Sequence, residues 1–252
     1  MRLTRVYLDA ALEPGASVTL PASAAGHLTR VLRLKAGAAV TVFNGRGGEY
    51  AATITRLRGS AVTLTVGEHV PIERESPFPL TLAQGVSRGE RMDLVVQKAT
   101  ELGVSRLVPV LTERSVVRLD EEQSDRKSSH WRAIVIGACE QCGRNRLPEV
   151  ALPARLHEFL RQPAGDAVRL LLSATATRRI EDVARPAKGA MVLIGPEGGL
   201  SEAEQEQALT AGFTAVNLGP RVLRTETAAI AALALLQREF GDFGSAAANQ
   251  RS

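Results

Sequence analysis

The stretch LIGPEGGLSEAE, residues 193–204, ends an apolar run on a glycine–proline turn and then leads into a helix start. A second stretch of the same kind, LGPRVLRTETA, follows at residues 218–228. In an open parallel α/β sheet, ligands bind beyond the carboxyl ends of the strands, where loops lead into helices. Two such loops, close together in the chain, therefore predict one ligand site that both of them face.

The composition of the two loops indicates how that ligand is held. Glycine lets a ligand approach the backbone closely, and proline fixes the turn, so that backbone amides and carbonyls are presented rigidly. Neither loop contains the Gly-x4-Gly-Lys-Ser/Thr pattern of a nucleotide triphosphate site or the Gly-x-Gly-x-x-Gly pattern of a dinucleotide site. We expect a ligand that is recognised by apolar contacts and backbone hydrogen bonds.

The region around these loops alternates between strands and helices. The runs VRLLLSA, AMVLIG and TAVNLG are continuously apolar, which is typical of strands buried on both faces of a parallel sheet. LTLAQGV and RLVPVL are earlier strands, and a long helix is predicted within residues 120–142. Ser87 with Glu90 and Ser201 with Glu204 have capping-box spacing at two helix starts. The pattern predicts the α/β class.

The N-terminal part has a different pattern of polar and apolar residues. SVTL, AAVTVF, EYAATITRL and AVTLTV alternate polar and apolar residues, and NGRGG at residues 44–48 supplies a hairpin turn, so a small β-barrel is expected. PIERESPFPL, residues 71–80, carries three prolines and marks a boundary. We therefore predict a small β-barrel over residues 1–74, an α/β domain over residues 75–244 and a flexible tail over residues 245–252.

The positive charge of the chain is unevenly distributed. The 252 residues carry a formal net charge of +4, and all of the excess lies in residues 1–74, with 9 Lys and Arg against 5 Asp and Glu. This excess predicts that residues 1–74 bind a polyanion. Arg30 and Arg33 are three residues apart, so one helical face can present both to phosphate. His27 is expected either to cap that helix, to touch RNA or to pack.

Several classes of protein are not expected. No run approaches the ~20 apolar residues of a membrane span, and no secretory signal is visible at the N-terminus, so a cytoplasmic location is predicted. Cys139 and Cys142 do not complete a four-ligand site, and the four histidines are scattered without ligand spacing. Neither a metal nor a redox function is therefore expected.

These stretches also carry a family resemblance. The two loops, together with ACEQCGRNR (138–146), SRGERMDLVVQKATELGV (87–104) and HLTRVLR (27–33), resemble the RsmE family, the small-subunit ribosomal RNA uridine-N3 methyltransferases of the SPOUT superfamily. The resemblance runs from about Tyr7 to Gly244. It implies a C-terminal trefoil-knotted α/β domain with a smaller N-terminal PUA-like β-barrel. It also implies a homodimer that uses S-adenosyl-L-methionine to methylate one uridine in the decoding region, on small-subunit rRNA or the assembled 30S subunit.

The resemblance assigns residues to the cofactor. A strand end and the two loops would surround it, through Leu171, Leu172, Ser173, Ile194, Gly195, Pro196, Glu197, Gly198, Leu218, Gly219, Leu223, Arg224 and Thr225.

Two residues are candidates for the chemistry. Arg224 offers planar donors suited to a uracil carbonyl or a phosphate. Glu226 is expected to act as a base, to orient Arg224, or only to complement the helix dipole. Thr225 is a candidate N-cap of the same helix. RNA contacts are predicted for Arg30, Arg33, Arg88, Arg144 and Arg146.

Two other functions stay open at this point. A SPOUT ribose 2′-O-methyltransferase would share the knot but attack from a hydroxyl group. A non-catalytic RNA-binding ribosome assembly factor would retain only the fold, although the complete second stretch with Arg224 and Glu226 argues against it.

Overall fold

The computed structural model describes residues 4–26, 28–29, 32–58, 61–115, 120–163 and 165–244. These residues form two compact units. The first unit comprises the chain up to Glu75 together with residues 136–147, and the second comprises residues 76–135 and the chain from Pro148 onwards. The predicted domains are continuous stretches, whereas the first unit also takes in residues 136–147 from the middle of the chain.

The first unit is built on a five-stranded sheet. Its elements are β1 (Arg5–Tyr7), β2 (Ser17–Thr19), α1 (Ala22–Gly26), β3 (Ala39–Phe43), β4 (Glu49–Arg58) and β5 (Ala61–Val70). The strands lie in the order β1-β3-β4-β5-β2, in which β1 pairs with β3 in parallel and the other pairs are antiparallel. NGRGG joins β3 to β4, and its three glycines have φ values of 79°, 107° and 66°, which confirms the predicted hairpin turn.

The alternating pattern of this unit forms its core. In β5, Val62, Leu64 and Val66 are buried, whereas the residues between them are partly or fully exposed. Since successive side chains of a strand point to opposite faces, one face of the sheet is apolar and the other faces solvent.

Residues 136–147 join the first unit through buried polar groups. Arg5, which is 8% exposed, donates to the carbonyl of Arg144 at 3.0 Å and to Oδ1 of Asn145 at 2.7 Å. Arg5 also pairs with Glu49. Burial raises the pKa of the Glu49 carboxyl, but hydrogen bonds from Arg5 and Arg74 outweigh it, so the pKa lies below its ordinary value. These charged hydrogen bonds stabilise the attachment of the segment.

The second unit is built on a seven-stranded parallel sheet, which confirms the predicted α/β class. The elements are β6 (Leu80–Gly85), α2 (Glu90–Glu101), β7 (Arg106–Leu111), α3 (Glu121–Cys142), β8 (Glu149–Val150), β9 (Ala154–Arg155), α4 (Leu156–Leu160), β10 (Val168–Leu172), β11 (Ala190–Ile194), α5 (Glu202–Thr210), β12 (Thr214–Val216) and α6 (Thr225–Glu239). The strands lie in the order β12-β10-β11-β6-β7-β8, and β9 also pairs with β7.

One of the two predicted capping boxes is present. Ser201 and Glu204 exchange hydrogen bonds at the start of α5, at 2.9 and 3.3 Å, as predicted. The box predicted at Ser87 is wrong, because α2 begins at Glu90 after Gly89, whose φ of 50° suits glycine. The Ser87 hydroxyl instead donates to the carbonyl of Gly85 at 3.3 Å.

Candidate functional site

A cavity of about 360 Å³ lies in the second unit, beyond the carboxyl ends of β10, β11 and β12. Its size is within the range of small-molecule sites. The first loop (residues 195–199) and the second loop (residues 218–224) both contribute to its wall, so the two stretches line one cavity. The predicted cofactor residues that line it are Leu172, Ser173, Ile194, Gly195, Pro196, Glu197, Gly198, Leu218, Gly219, Leu223 and Thr225.

Two predicted cofactor residues lie elsewhere. Leu171 is 1% exposed and belongs to the apolar core of the second unit. Arg224 is exposed and does not line the cavity. Within the described residues, the cavity also contacts side chains that the sequence did not single out, among them Arg114, Gln205, Arg221 and Val222.

The first loop is packed so closely that it needs glycine. A Cβ atom on Gly195 would lie 2.8 Å from the carbonyl carbon of Gly199 and 2.8 Å from the nitrogen of Leu200. A Cβ atom on Gly85, at the end of β6, would overlap the nitrogen and Cδ of Pro196. These contacts fix the loop against the strand end, which makes it a rigid wall.

The second loop needs glycine for a different reason. Gly219 has a φ of 109°, a conformation that side chains disfavour, but an added Cβ would meet no atom within 4 Å. Its amide donates to Oδ1 of Asn217 at 2.9 Å, and Nδ2 of Asn217 donates to the carbonyl of Ala176 at 2.5 Å. The loop is thereby tied to the segment that follows β10.

A carboxylate of the first loop is surrounded by donors. Oε1 of Glu197 accepts from the amide of Arg88 at 3.1 Å and from the guanidinium of Arg91 at 3.0 Å. Burial raises the pKa of Glu197, but backbone hydrogen bonds of Glu197 itself and of Arg88, with the Arg91 side chain, outweigh it and lower the pKa. Arg114 donates to the carbonyl of Gly198 at 3.0 Å. The first loop is therefore flanked by three arginines.

The candidate catalytic residues lie at the N-terminus of α6. Arg224 occupies the N-cap position without a side-chain cap hydrogen bond, so the prediction of Thr225 as N-cap is wrong. Thr225 is 6% exposed, and its hydroxyl donates to the carbonyl of Gly195 at 2.7 Å. Oε2 of Glu226 is buried and has no hydrogen-bond partner within the described part of the chain. Glu226, like Arg224, does not line the cavity.

The residues predicted to contact RNA are found in different settings. Arg33, Arg88 and Arg146 are exposed, and the Arg146 side chain is 57% exposed. Arg144 is only 4% exposed, and its guanidinium binds the carboxylate of Glu75 at 3.0 and 3.1 Å, which is not the exposed position expected for it. Arg30, together with His27 and residues 245–252, lies outside the described residues.

The two cysteines show no ligand geometry. Cys139 is buried, and a hydrogen bond with Cys142, together with burial, raises the pKa of its thiol. Among the residues that the structure covers, no group of three or more His, Cys, Asp or Glu could hold a metal ion. In the same part of the chain, no helix has the length and apolar character needed to cross a membrane.

Comparison with known families places both parts of the chain. Residues 74–237 match the family described as RNA methyltransferase domain, and residues 20–67 match the family described as RNA methyltransferase PUA domain. Together with the structural matches given next, these matches confirm the predicted fold class, a SPOUT parallel-sheet domain with a smaller PUA-like domain.

Similar proteins span nearly the whole chain. Ribosomal RNA small subunit methyltransferase E of Buchnera aphidicola subsp. Schizaphis graminum (strain Sg) is 32% identical, with 96% of this chain and 98% of the relative covered. The protein of the same name from Bacillus subtilis (strain 168) is 31% identical, with 83% and 85% covered.

Two solved structures are also similar, and both contain the methyl donor. A Neisseria gonorrhoeae ribosomal RNA small subunit methyltransferase E bound to S-adenosyl methionine is 38% identical with a TM-score of 0.90. A Legionella pneumophila methyltransferase with the bound cofactor SAM is 40% identical with a TM-score of 0.93. In both cases 96% of this chain and 100% of the other chain are covered.

Proposed function

The chain belongs to the ribosomal RNA small subunit methyltransferase E family, and we propose that it methylates N3 of one uridine in the decoding region of small-subunit rRNA, with S-adenosylmethionine as methyl donor. The observation that carries the proposal is the cavity between two glycine–proline loops at the carboxyl ends of parallel strands. Mass-spectrometric mapping of small-subunit rRNA after gene deletion tests it. Loss of one N3-methyluridine is expected, and its retention would contradict the proposal.

The cavity suits S-adenosylmethionine. Leu172, Leu218 and Leu223 give apolar surface for an adenine ring, and the first loop offers backbone groups without a phosphate-binding lysine. The Ser173 hydroxyl and Gln205, which lie 3.2 Å apart, add polar groups to the wall. When bound, this cofactor supplies a methyl group activated by a positively charged sulfur. Holding that group in a fixed orientation is the task of the two loops.

Uridine N3 is a poor nucleophile while it keeps its proton, so residues near the cofactor have to remove the proton or stabilise the charge that results. We assign these tasks to the start of α6. The Arg224 guanidinium would hold a uracil carbonyl or a phosphate and offset developing negative charge. Oε2 of Glu226, which has no other partner within the described residues, would accept the N3 proton.

Gly219→Ala is expected to weaken S-adenosylmethionine binding about 10-fold, because the new methyl group enters space beside the cavity wall. Gly212→Ala is a matched control. Gly212 has a φ of 88°, and its added Cβ would also meet nothing within 4 Å, but it does not line the cavity. Both variants bear similar backbone strain, so calorimetry should show a loss of affinity only for Gly219→Ala. Equal affinities would remove the second loop from the cofactor site.

The RNA is proposed to contact exposed arginines, among them Arg33 and Arg146 of the first unit. Reversing both charges to glutamate should weaken RNA binding and lower the slope of log affinity against log salt by about 1 for each phosphate that is no longer neutralised. Arg179→Glu with Lys188→Glu changes the net charge equally, at side chains that are 60% and 69% exposed in the second unit. If both double variants change the slope alike, the first unit has no special part in RNA binding.

The other assignments follow from the same proposal. A homodimer is proposed on the resemblance, and the mass of the protein in solution tests it. The cytoplasm is the expected compartment, because the substrate is ribosomal RNA. A ribose 2′-O-methyltransferase would leave its methyl group on the sugar, which mass spectrometry of the isolated nucleoside distinguishes. A non-catalytic assembly factor would show no methyl transfer at all.

A further inference from the structure

A buried amide lies behind the cavity wall. Gln84, the penultimate residue of β6, is 0% exposed. Its Nε2 atom is 2.9 Å from the hydroxyl of Thr225, 3.0 Å from the carbonyl of Gly85 and 3.3 Å from the carbonyl of Gly195. One side chain thus touches its own strand end, the first loop and the first residue of α6.

The protons of this cluster fix the orientation of the amide. The single hydroxyl proton of Thr225 goes to the carbonyl of Gly195 at 2.7 Å, so that hydroxyl accepts from Gln84. The two protons of Nε2 are then donated to Thr225 and to the carbonyls of Gly85 and Gly195, which share one of them. A flipped amide would place Oε1 against two carbonyl oxygens, which cannot donate. In the orientation observed, Oε1 is buried without a partner among the residues described.

A buried amide with an unsatisfied oxygen is unfavourable in itself, and an apolar side chain would avoid it. What the amide provides is a donor that reaches the first loop and α6 together. Gly195 and Thr225 both line the cavity. Arg224 and Glu226 flank Thr225 in the chain, so the position of Thr225 determines where both candidate catalytic groups lie.

We propose that Gln84 is a positioning residue, which sets the first loop and the start of α6 at a fixed separation and thereby places Arg224 and Glu226 relative to the cofactor. It acts through Thr225 and the carbonyl of Gly195, without itself lining the cavity. This inference rests on the proposed function for its effect on catalysis, but not for its effect on the order of the loop and the helix start.

Gln84→Met removes the donors while keeping a side chain of similar length, and Gln237→Met is the matched control. Gln237 is also 0% exposed and also bridges two elements, since Nε2 donates to the carbonyl of Leu102 at 2.8 Å and Oε1 accepts from Ser76 at 2.8 Å. It lies in α6, 12 residues after Thr225, which is roughly 18 Å along the helix. Both variants should lower the melting temperature.

Only Gln84→Met should affect the site. We expect its affinity for S-adenosylmethionine to fall about 10-fold and its kcat ~10-fold or more, with Gln237→Met within two-fold of the parent protein in both. In the free protein, hydrogen exchange at the amides of Gly199 and Ala228 should accelerate in Gln84→Met alone. Equal effects of the two variants on affinity, kcat and exchange would overturn the proposal.

Thr225→Val provides a second test if Gln84→Met folds poorly. It removes the other half of the cluster, and it should reduce affinity and kcat in the same direction. The double variant should lose little more than either single variant, because both act through one cluster. Unchanged affinity in Thr225→Val would contradict the proposal. A parent protein that binds no S-adenosylmethionine would instead contradict the proposed function, while the exchange measurement would still test the role of Gln84.

Discussion

Replacing Arg224 with lysine is expected to lower the rate of methyl transfer by ~100-fold or more, while the affinity for S-adenosylmethionine stays within a few-fold of the parent value. Lysine keeps the charge but loses the planar fork of donors that can hold a uracil carbonyl or a phosphate. The expected loss of rate is the size found when one preorganised hydrogen-bond donor to the transition state is removed. Since Arg224 is exposed and does not line the cavity, cofactor binding should persist. Single-turnover assays on the purified small subunit, with calorimetry for the cofactor, measure both quantities.

A matched control is available at the other end of the same helix. Arg238 is exposed in the last turn of α6, where a cation complements the helix dipole whether it is arginine or lysine. Arg238→Lys should therefore leave the rate and the affinity unchanged. A rate near normal for Arg224→Lys would end the case for a catalytic role of this guanidinium.

The framework of the site could be predicted from the sequence because it depends on local signals. Continuous apolar runs indicate buried parallel strands, and glycine with proline at their ends indicates a tight turn. The carboxyl ends of parallel strands meet at one edge of a sheet. For that reason the sequence predicts that the loops at Gly195 and Gly219 face one site, and both line the same cavity.

The structure differs from the prediction at residues whose surroundings depend on long-range packing. Leu171 packs in the core and does not line the cavity, whereas Leu172 does, because neighbouring side chains of a strand point to opposite faces. Arg144 is buried because residues 136–147 return to the first unit, where Glu75 neutralises its charge. Nothing in the residues around Arg144 indicates a partner that lies 69 positions away.

The contacts that hold the site together were also beyond local reasoning. Gln84 is the penultimate residue of β6, Gln205 lies within α5 and Arg114 follows β7, and none belongs to a recognisable motif. Their roles follow only from the order β10-β11-β6-β7, which brings distant parts of the chain beside the first loop. Prediction from sequence therefore placed the two loops beside one cavity but did not identify the side chains that support it.

Glu226→Gln is expected to lower the rate of methyl transfer by ~100-fold at neutral pH, the lower end of the range for a general base. Glutamine keeps the shape of the side chain but cannot take the N3 proton. The loss should shrink as the pH is raised, because a larger fraction of the uridine is then already deprotonated. Oε2 of Glu226 accepts no hydrogen bond from any described residue, so no internal donor competes for it.

A structural role would give a different pattern, and Glu202 provides the comparison. Both carboxylates lie in the first turn of a helix, Glu202 in α5 and Glu226 in α6, where a negative charge contributes about 0.3–1 kcal/mol by complementing the helix dipole. Glu202→Gln should therefore reduce thermal stability slightly and leave the rate unchanged at every pH. If Glu226→Gln behaves in the same way, losing stability without a rate defect that recovers at high pH, its carboxylate only supports the helix start, and the N3 proton must leave to another acceptor.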